Sequence, residues 1–308
     1  MNFYHDIKIC LLDHFEVTLK RKYFRELQDS LQETPLFPSD SVEQERYQCS
    51  ELIRIFLSYN NRLISPIKRS VFLSKELTNQ LSNDFQQFQS TVNDIAQCLR
   101  NGQDVLYRLS TKMEDILYED RLLNDWRIYH LHLGSKGPGK FCQRSGPVLI
   151  AFIPLQHEDI YLLQIIPQHD TNTVFADKNF LHIIKNNWPE AIEYCHVSGL
   201  EGTSDLTIEQ RAALRAHGLT TADIIEGEAY IGPGIGLTSA GTSIFIQLQA
   251  DRIYNWIVIN TLQCQKQIQN FIPRQIPEYL DFKMIINFEM NRFEIYSNNH
   301  SLIACQKY

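Results

Sequence analysis

The first 101 residues contain no glycine; all 13 glycines of the 308-residue chain lie at Gly102 or beyond. Glycine supplies positive-φ turns and loosens helix interiors, so so long a stretch without it favours helices. The apolar spacing agrees. Leu11, Leu12, Phe15, Leu19, Tyr23, Leu27 and Leu31 recur every three or four residues, the signature of one buried helical face, and Pro35 and Pro38 end that element. A second helix is expected over 41–59, burying Leu52, Ile55 and Phe56. A third starts at a capping Ser74, carries Leu77, Leu81, Phe85, Phe88, Val92, Ile95 and Leu99 as its stripe, and stops at Gly102.

Beyond Gly102 the periods change. VLYRLS predicts a short strand and 113–123 a short helical piece. In YHLHL, His130 and His132 point to one side of a strand, and Tyr129, Leu131 and Leu133 to the other. VLIAFI and IYLLQII read as apolar strands joined through 154–159, and DKNFLHIIKNNWPEAI as a helix broken or restarted at Pro189. Thr207 opens a short helix with Glu209 and Gln210 in its first turn. EGEAYIGPGIGLTSAGTSIFIQLQ predicts strands around a glycine-rich turn, since it lacks the lysine of a phosphate-binding loop. A long helix over 250–271 and a hairpin turning near Met290-Asn291 complete the chain. The expected class is α+β: a helical domain (1–101), a central domain with a small antiparallel sheet and helices (102–197), and a C-terminal α+β domain (198–308).

A formal charge of −7 argues against broad, non-specific nucleic-acid binding but leaves room for a local basic patch. Seven scattered cysteines without a CxxC pair fit free thiols in a reducing compartment. The amino terminus lacks the basic-then-apolar form of a signal peptide, and no apolar run reaches the length of a membrane span. A cytoplasmic protein without membrane partners is expected.

Against that acidic background, 126–157 holds no Asp or Glu. Within and just beyond it lie His130, His132, Lys136, Lys140, Arg144, His157 and His169. Fixed positive charge focuses the field on an anionic ligand. Arg144, placed between a glycine-rich loop and an apolar strand, has the fork that clamps a phosphate; otherwise it is a surface arginine paired to a neighbouring loop. His130 and His132 suit acid–base work near neutral pH, RNA contact, or a metal shared with His169; the bland reading is a pair of hydrogen-bonded strand histidines. Lys136, Lys140 and His157 would contact substrate. Cys142 is a conceivable nucleophile, although a free cysteine is more often structural.

The order of helix, HLHL strand, loop, Arg144, VLIAFI, IYLLQIIPQH and helix resembles the core of RelE-like messenger-RNA interferase toxins over about 120–193. The resemblance implies a small twisted antiparallel sheet that binds and cleaves RNA, with Arg144 as phosphate clamp and His169 closing the last core strand. This chain departs from the family in being about three times longer and acidic. LLNDW followed by HLHLG is also similar to uncharacterised bacterial proteins, which implies no activity. The expected function is a metal-independent endoribonuclease of toxin or phage-defence type, without a cofactor, in which His130, His132, Arg144 and His169 are catalytic. RNA, including ribosome-associated messenger RNA, and an antitoxin protein are the expected partners. The alternatives are a non-catalytic RNA- or protein-binding assembly module and a metal-dependent hydrolase using His130, His132 and His169.

Overall fold

A computed structural model describes residues 2–32, 41–144, 146–155, 158–167, 176–200, 206–270, 282–297 and 301–308, with the side chains of 267–270 excepted. The chain is α+β.

The helices α1 (Phe3–Thr18), α2 (Arg21–Gln32) and α3 (Val42–Arg62) come first. The first apolar stripe is thus carried by two helices, because the chain turns extended at Leu19 (φ −93°, ψ 153°). Strand β1 (Val71–Leu73) follows, a feature too short to be read from the sequence. Ser74 caps α4 (Lys75–Ser82), its Oγ accepting from Leu77 N at 2.9 Å.

The expected third helix is interrupted. Asp84 N and Phe85 N both donate to the Gln80 carbonyl, the chain makes a 3-10 turn at Gln86–Phe88, and α5 runs Gln89–Asn101. Ser82, Asn83 and Asp84 compete for backbone groups and so tolerate a break. Phe85 and Phe88 are consequently half-buried against the core rather than enclosed in it. VLYRLS is not a strand: Asp104 Oδ1 accepts from Leu106 N at 2.7 Å and turns Leu106–Arg108 into a 3-10 helix.

Then come α6 (Arg121–Trp126), β2 (Ile128–His132), β3 (Val148–Phe152), β4 (Ile160–Ile166), α7 (Asn179–Asn187) and α8 (Ile208–Ala216), the last opened by a full capping box between Thr207 and Gln210. Strands β5 (Asp223–Ile225) and β6 (Glu228–Tyr230) form a tight hairpin. The glycine-rich segment after β6 leads into a helix, α9 (Ile244–Asn270), instead of joining two strands. SIFIQLQ alternates like a strand, yet Ile246 is buried and Leu248 is 57% exposed because both lie on helical faces. Strands β7 (Phe282–Asn287), β8 (Arg292–Ser297) and β9 (Leu302–Lys307) form an antiparallel meander. Its first turn contains Asn291 at φ 50°, where the hairpin was expected to turn.

The contacts group the chain into two compact units. One comprises 1–60, 114–117 and 246–308; in it Asp6 accepts from Met284 N at 3.1 Å, and His14, Phe56, Phe288 and Tyr308 form an aromatic cluster. The other comprises 61–113 and 118–245 and is built on a sheet of order β1-β4-β3-β2, with β1 parallel to β4 and the other pairs antiparallel. Both faces of this sheet are covered. Leu131, Leu149, Ala151 and Leu162 face α4 and α5, whereas Ile128, Val148, Ile150, Phe152 and Leu163 face α6 and α7. Burial on both sides explains why VLIAF and IYLLQII read as continuous apolar runs.

Candidate functional site

In the sheet-bearing unit, β2 is an edge strand, and its position is fixed from both ends. Before it, α6 closes on Arg127 in the left-handed region (φ 59°), an unfavourable place for a side-chain-bearing residue. The Arg127 guanidinium compensates: Nε donates to the Ile153 carbonyl at 3.1 Å, and Nη1 donates to Asn61 Oδ1. Tyr129 hydroxyl donates to the Asn61 carbonyl at 2.7 Å. These bonds tie the end of α3 to the edge of the sheet, and so bring Arg62 to His130. After β2, the buried Arg108 donates through Nη1 to the carbonyls of His132 (3.1 Å) and Gly134 (3.3 Å).

The result is a shallow cleft of about 30 Å³. Leu109, Met113 and Leu123 supply its apolar part, and Arg62, Ser110, Tyr118, Asp120, Tyr129 and His130 its polar part. A space of that size takes roughly two water-sized groups, such as two oxygens of a phosphate, and no nucleobase. Arg62 Cζ stands 5.8 Å from the Tyr118 ring centre and Lys112 Nζ 5.3 Å from it. Arg144 Nη2 donates to Thr111 Oγ1, next in sequence to Ser110 of the cleft. Asp120, the one carboxylate among the described residues lining the cleft, accepts from Leu123 N at 3.1 Å as the cap of α6. Arg62, Lys112 and Arg144 place positive charge at or beside the cleft, and positive charge favours an anion.

The sequence-derived candidates separate at this point. His130 is half-buried and lines the cleft; His132 is 3% exposed, its ring centre 6.0 Å from that of His130 at an interplanar angle of 77°. The expected alternation of β2 holds, with both imidazoles on the Ile128 side. Arg144 is exposed and rests on Thr111. Lys136 and Lys140 lie on the loop after β2, each ammonium over a ring, Tyr107 at 5.0 Å and Phe141 at 5.5 Å. His157 and His169 lie outside the described residues. Arg62, Lys112 and Tyr118 do not stand out in the sequence, because all three come from segments before the acid-free stretch 126–157. Burial pushes the Cys142 thiol up, and its Sγ lies 3.7 Å from the His132 carbonyl, a structural placement. Among the described residues, no three His, Cys, Asp or Glu side chains are grouped to hold one metal ion.

The glycine-rich segment serves the frame of the site. A Cβ at Gly232 would meet the Asp125 carbonyl at 2.4 Å, and one at Gly234 would meet the Asn124 carbonyl at 2.1 Å. This close approach locks the end of α6, where Asp125 Oδ2 accepts from Arg215 Nε at 2.9 Å and the Arg215 guanidinium covers the Trp126 ring at 4.2 Å. Comparison with protein-family models, curated proteins and solved structures returns no match.

Proposed function

We propose that this chain is a metal-independent endoribonuclease whose phosphodiester site is the cleft at the edge of β2. One observation supports this reading above the others: Arg62 and His130, far apart in sequence, line a single small cleft with Ser110 and Tyr118, with room for roughly two oxygens of a phosphate. In the reaction, the 2′-hydroxyl attacks the adjacent phosphorus and the P–O5′ bond breaks, leaving a 2′,3′-cyclic phosphate and a 5′-hydroxyl. His130 takes the 2′ proton, the Arg62 guanidinium donates to the non-bridging oxygens as charge builds there, and Tyr118 gives a proton to the departing O5′. His132, buried behind His130, is a positioning residue. Arg144 and Lys112 hold a neighbouring phosphate, and the nucleosides stay outside, as the size of the cleft requires.

A second reading, a binding module without cleavage, draws support from Lys136 and Lys140, which lie along an exposed loop outside the cleft. One experiment separates the two. A labelled single-stranded RNA is incubated with the protein in EDTA, with binding and cleavage read side by side. Cleavage to cyclic-phosphate ends is expected, reduced about 100-fold or more in His130→Ala, in line with the loss of an acid–base group. Arg62→Lys should lose at least about tenfold, because lysine keeps the charge and loses the fork. Binding with no cleavage favours the module, and neither binding nor cleavage overturns both. Cleavage abolished by EDTA and restored by one divalent ion overturns the metal-independent chemistry.

A further inference from the structure

A second space lies elsewhere in the same unit, at the end of β4, and has no part in the cleft above. It measures about 460 Å³. Ile165, Ile166, Pro167, Phe180 and Ile208 form its apolar walls; Gln80, Gln164, Asp177 and Glu209 contribute the polar groups, and among the described residues no Lys, Arg or His lines it. Cavities of a few hundred Å³ with apolar walls and a few convergent polar groups are the usual form of small-molecule sites.

The walls are held by buried polar bonds. Arg211, 3% exposed, donates through Nη1 to the Ala176 carbonyl (3.1 Å) and through Nη2 to the Leu206 carbonyl (3.4 Å), one bond to the chain beside each carboxylate-bearing wall. Its charge is met by Asp223, whose Oδ1 accepts from Nε at 2.7 Å. On the third wall, Gln80 satisfies both backbone groups of Ile165, donating to its carbonyl at 3.1 Å and accepting from its N–H at 2.7 Å.

The electrostatic demand of this space follows from the two helix starts beside it. Exposed helix N-termini attract anions. Here the chain supplies those anions itself. Asp177 Oδ1 accepts from Asn179 N at 2.9 Å, and at α8 Thr207 and Gln210 satisfy each other's backbone N–H groups while Glu209 sits in the first turn. The helix ends are therefore already answered, and two carboxylate-bearing residues, Asp177 and Glu209, line the cavity beside its apolar walls. We propose that this cavity binds a small organic cation with an apolar body, its ammonium group between Asp177 and Glu209 and its hydrocarbon part against Phe180, Ile165 and Ile208.

The test uses the full chain and three probes of one shape: 2-phenylethylamine, 2-phenylethanol and 3-phenylpropanoate, each titrated by calorimetry. The amine is expected to bind, the alcohol at least about tenfold more weakly, and the carboxylate not at all. Glu209→Gln and Asp177→Asn should each weaken the amine about tenfold and leave the alcohol unchanged; both substitutions keep an oxygen acceptor, and an unchanged Tm checks the fold. Equal binding of amine and alcohol, preference for the carboxylate, or no amine binding up to millimolar concentration would each overturn the proposal. The proposal is independent of RNA cleavage, which none of these variants should alter.

Discussion

At the scale of single residues, the most consequential side chains are two arginines one turn apart on α8. Arg211 pairs with Asp223, and Arg215 pairs with Asp125; all four are buried. Removing one partner of such a pair leaves an uncompensated charge in a low-dielectric interior and typically costs about 3–5 kcal/mol. Arg215→Ala should therefore lower unfolding stability by that order at pH 7, measured by urea denaturation with Trp126 fluorescence as the reporter, since the guanidinium covers that ring. The pH dependence has a definite sign. Burial pushes the Asp125 carboxyl up and Arg215 opposes it. Without Arg215 the folded-state pKa rises further above the unfolded value, so the deficit grows as pH rises and shrinks as pH falls towards 4. A deficit unchanged between pH 8 and pH 5 would show that the loss comes from packing over Trp126 rather than from charge.

At the scale of elements, the glycine-rich segment and α6 act as one piece. A methyl group at Gly234 would sit 2.1 Å from the Asn124 carbonyl oxygen and 2.8 Å from its carbon, backbone atoms that cannot swing aside as a side chain would. Gly234→Ala should cost about 1–3 kcal/mol or more by overpacking. Gly139→Ala, with nothing within 4 Å of the added Cβ, should be near neutral. If the two variants melt together, the segment yields and does not lock α6. These elements also mark what the sequence reveals. The period-two alternation of Ile128–His132 and the capping residues Ser74 and Thr207 were legible because each is a local rule. The break after Ser82 and the helical state of SIFIQLQ were not, because there hydrogen bonds and tertiary burial overrode a clean period. The cleft divides the same way. His130 stood out within an acid-free stretch, whereas Arg62 reaches it only through the bonds that Arg127 and Tyr129 make to Asn61, contacts distant in sequence.

At the scale of the whole molecule, sensitivity to mild acid is expected from His14, in the unit that does not hold the candidate site. His14 stacks on Phe288 at 4.0 Å and 17°, with Phe15 and Phe56 also against it. Burial lowers its pKa from the ordinary 6.5. A group whose folded pKa is depressed stabilises the fold above the unfolded pKa, so this contribution is complete above pH 6.5 and is lost as pH falls through the folded value. Glu45 titrates in a different window. Burial raises its pKa, but hydrogen bonds from Asn2 and His5 outweigh burial and leave it below the ordinary 4.5, so its contribution survives until the pH is more acid still. Between pH 7.5 and about 5, the urea midpoint of the wild type should therefore drop. His14→Phe keeps an aromatic ring on Phe288 and removes the titration, so its midpoint should stay flat over the same range. An equally steep fall in His14→Phe would assign the acid sensitivity to other histidines and leave the His14–Phe288 stack as packing alone.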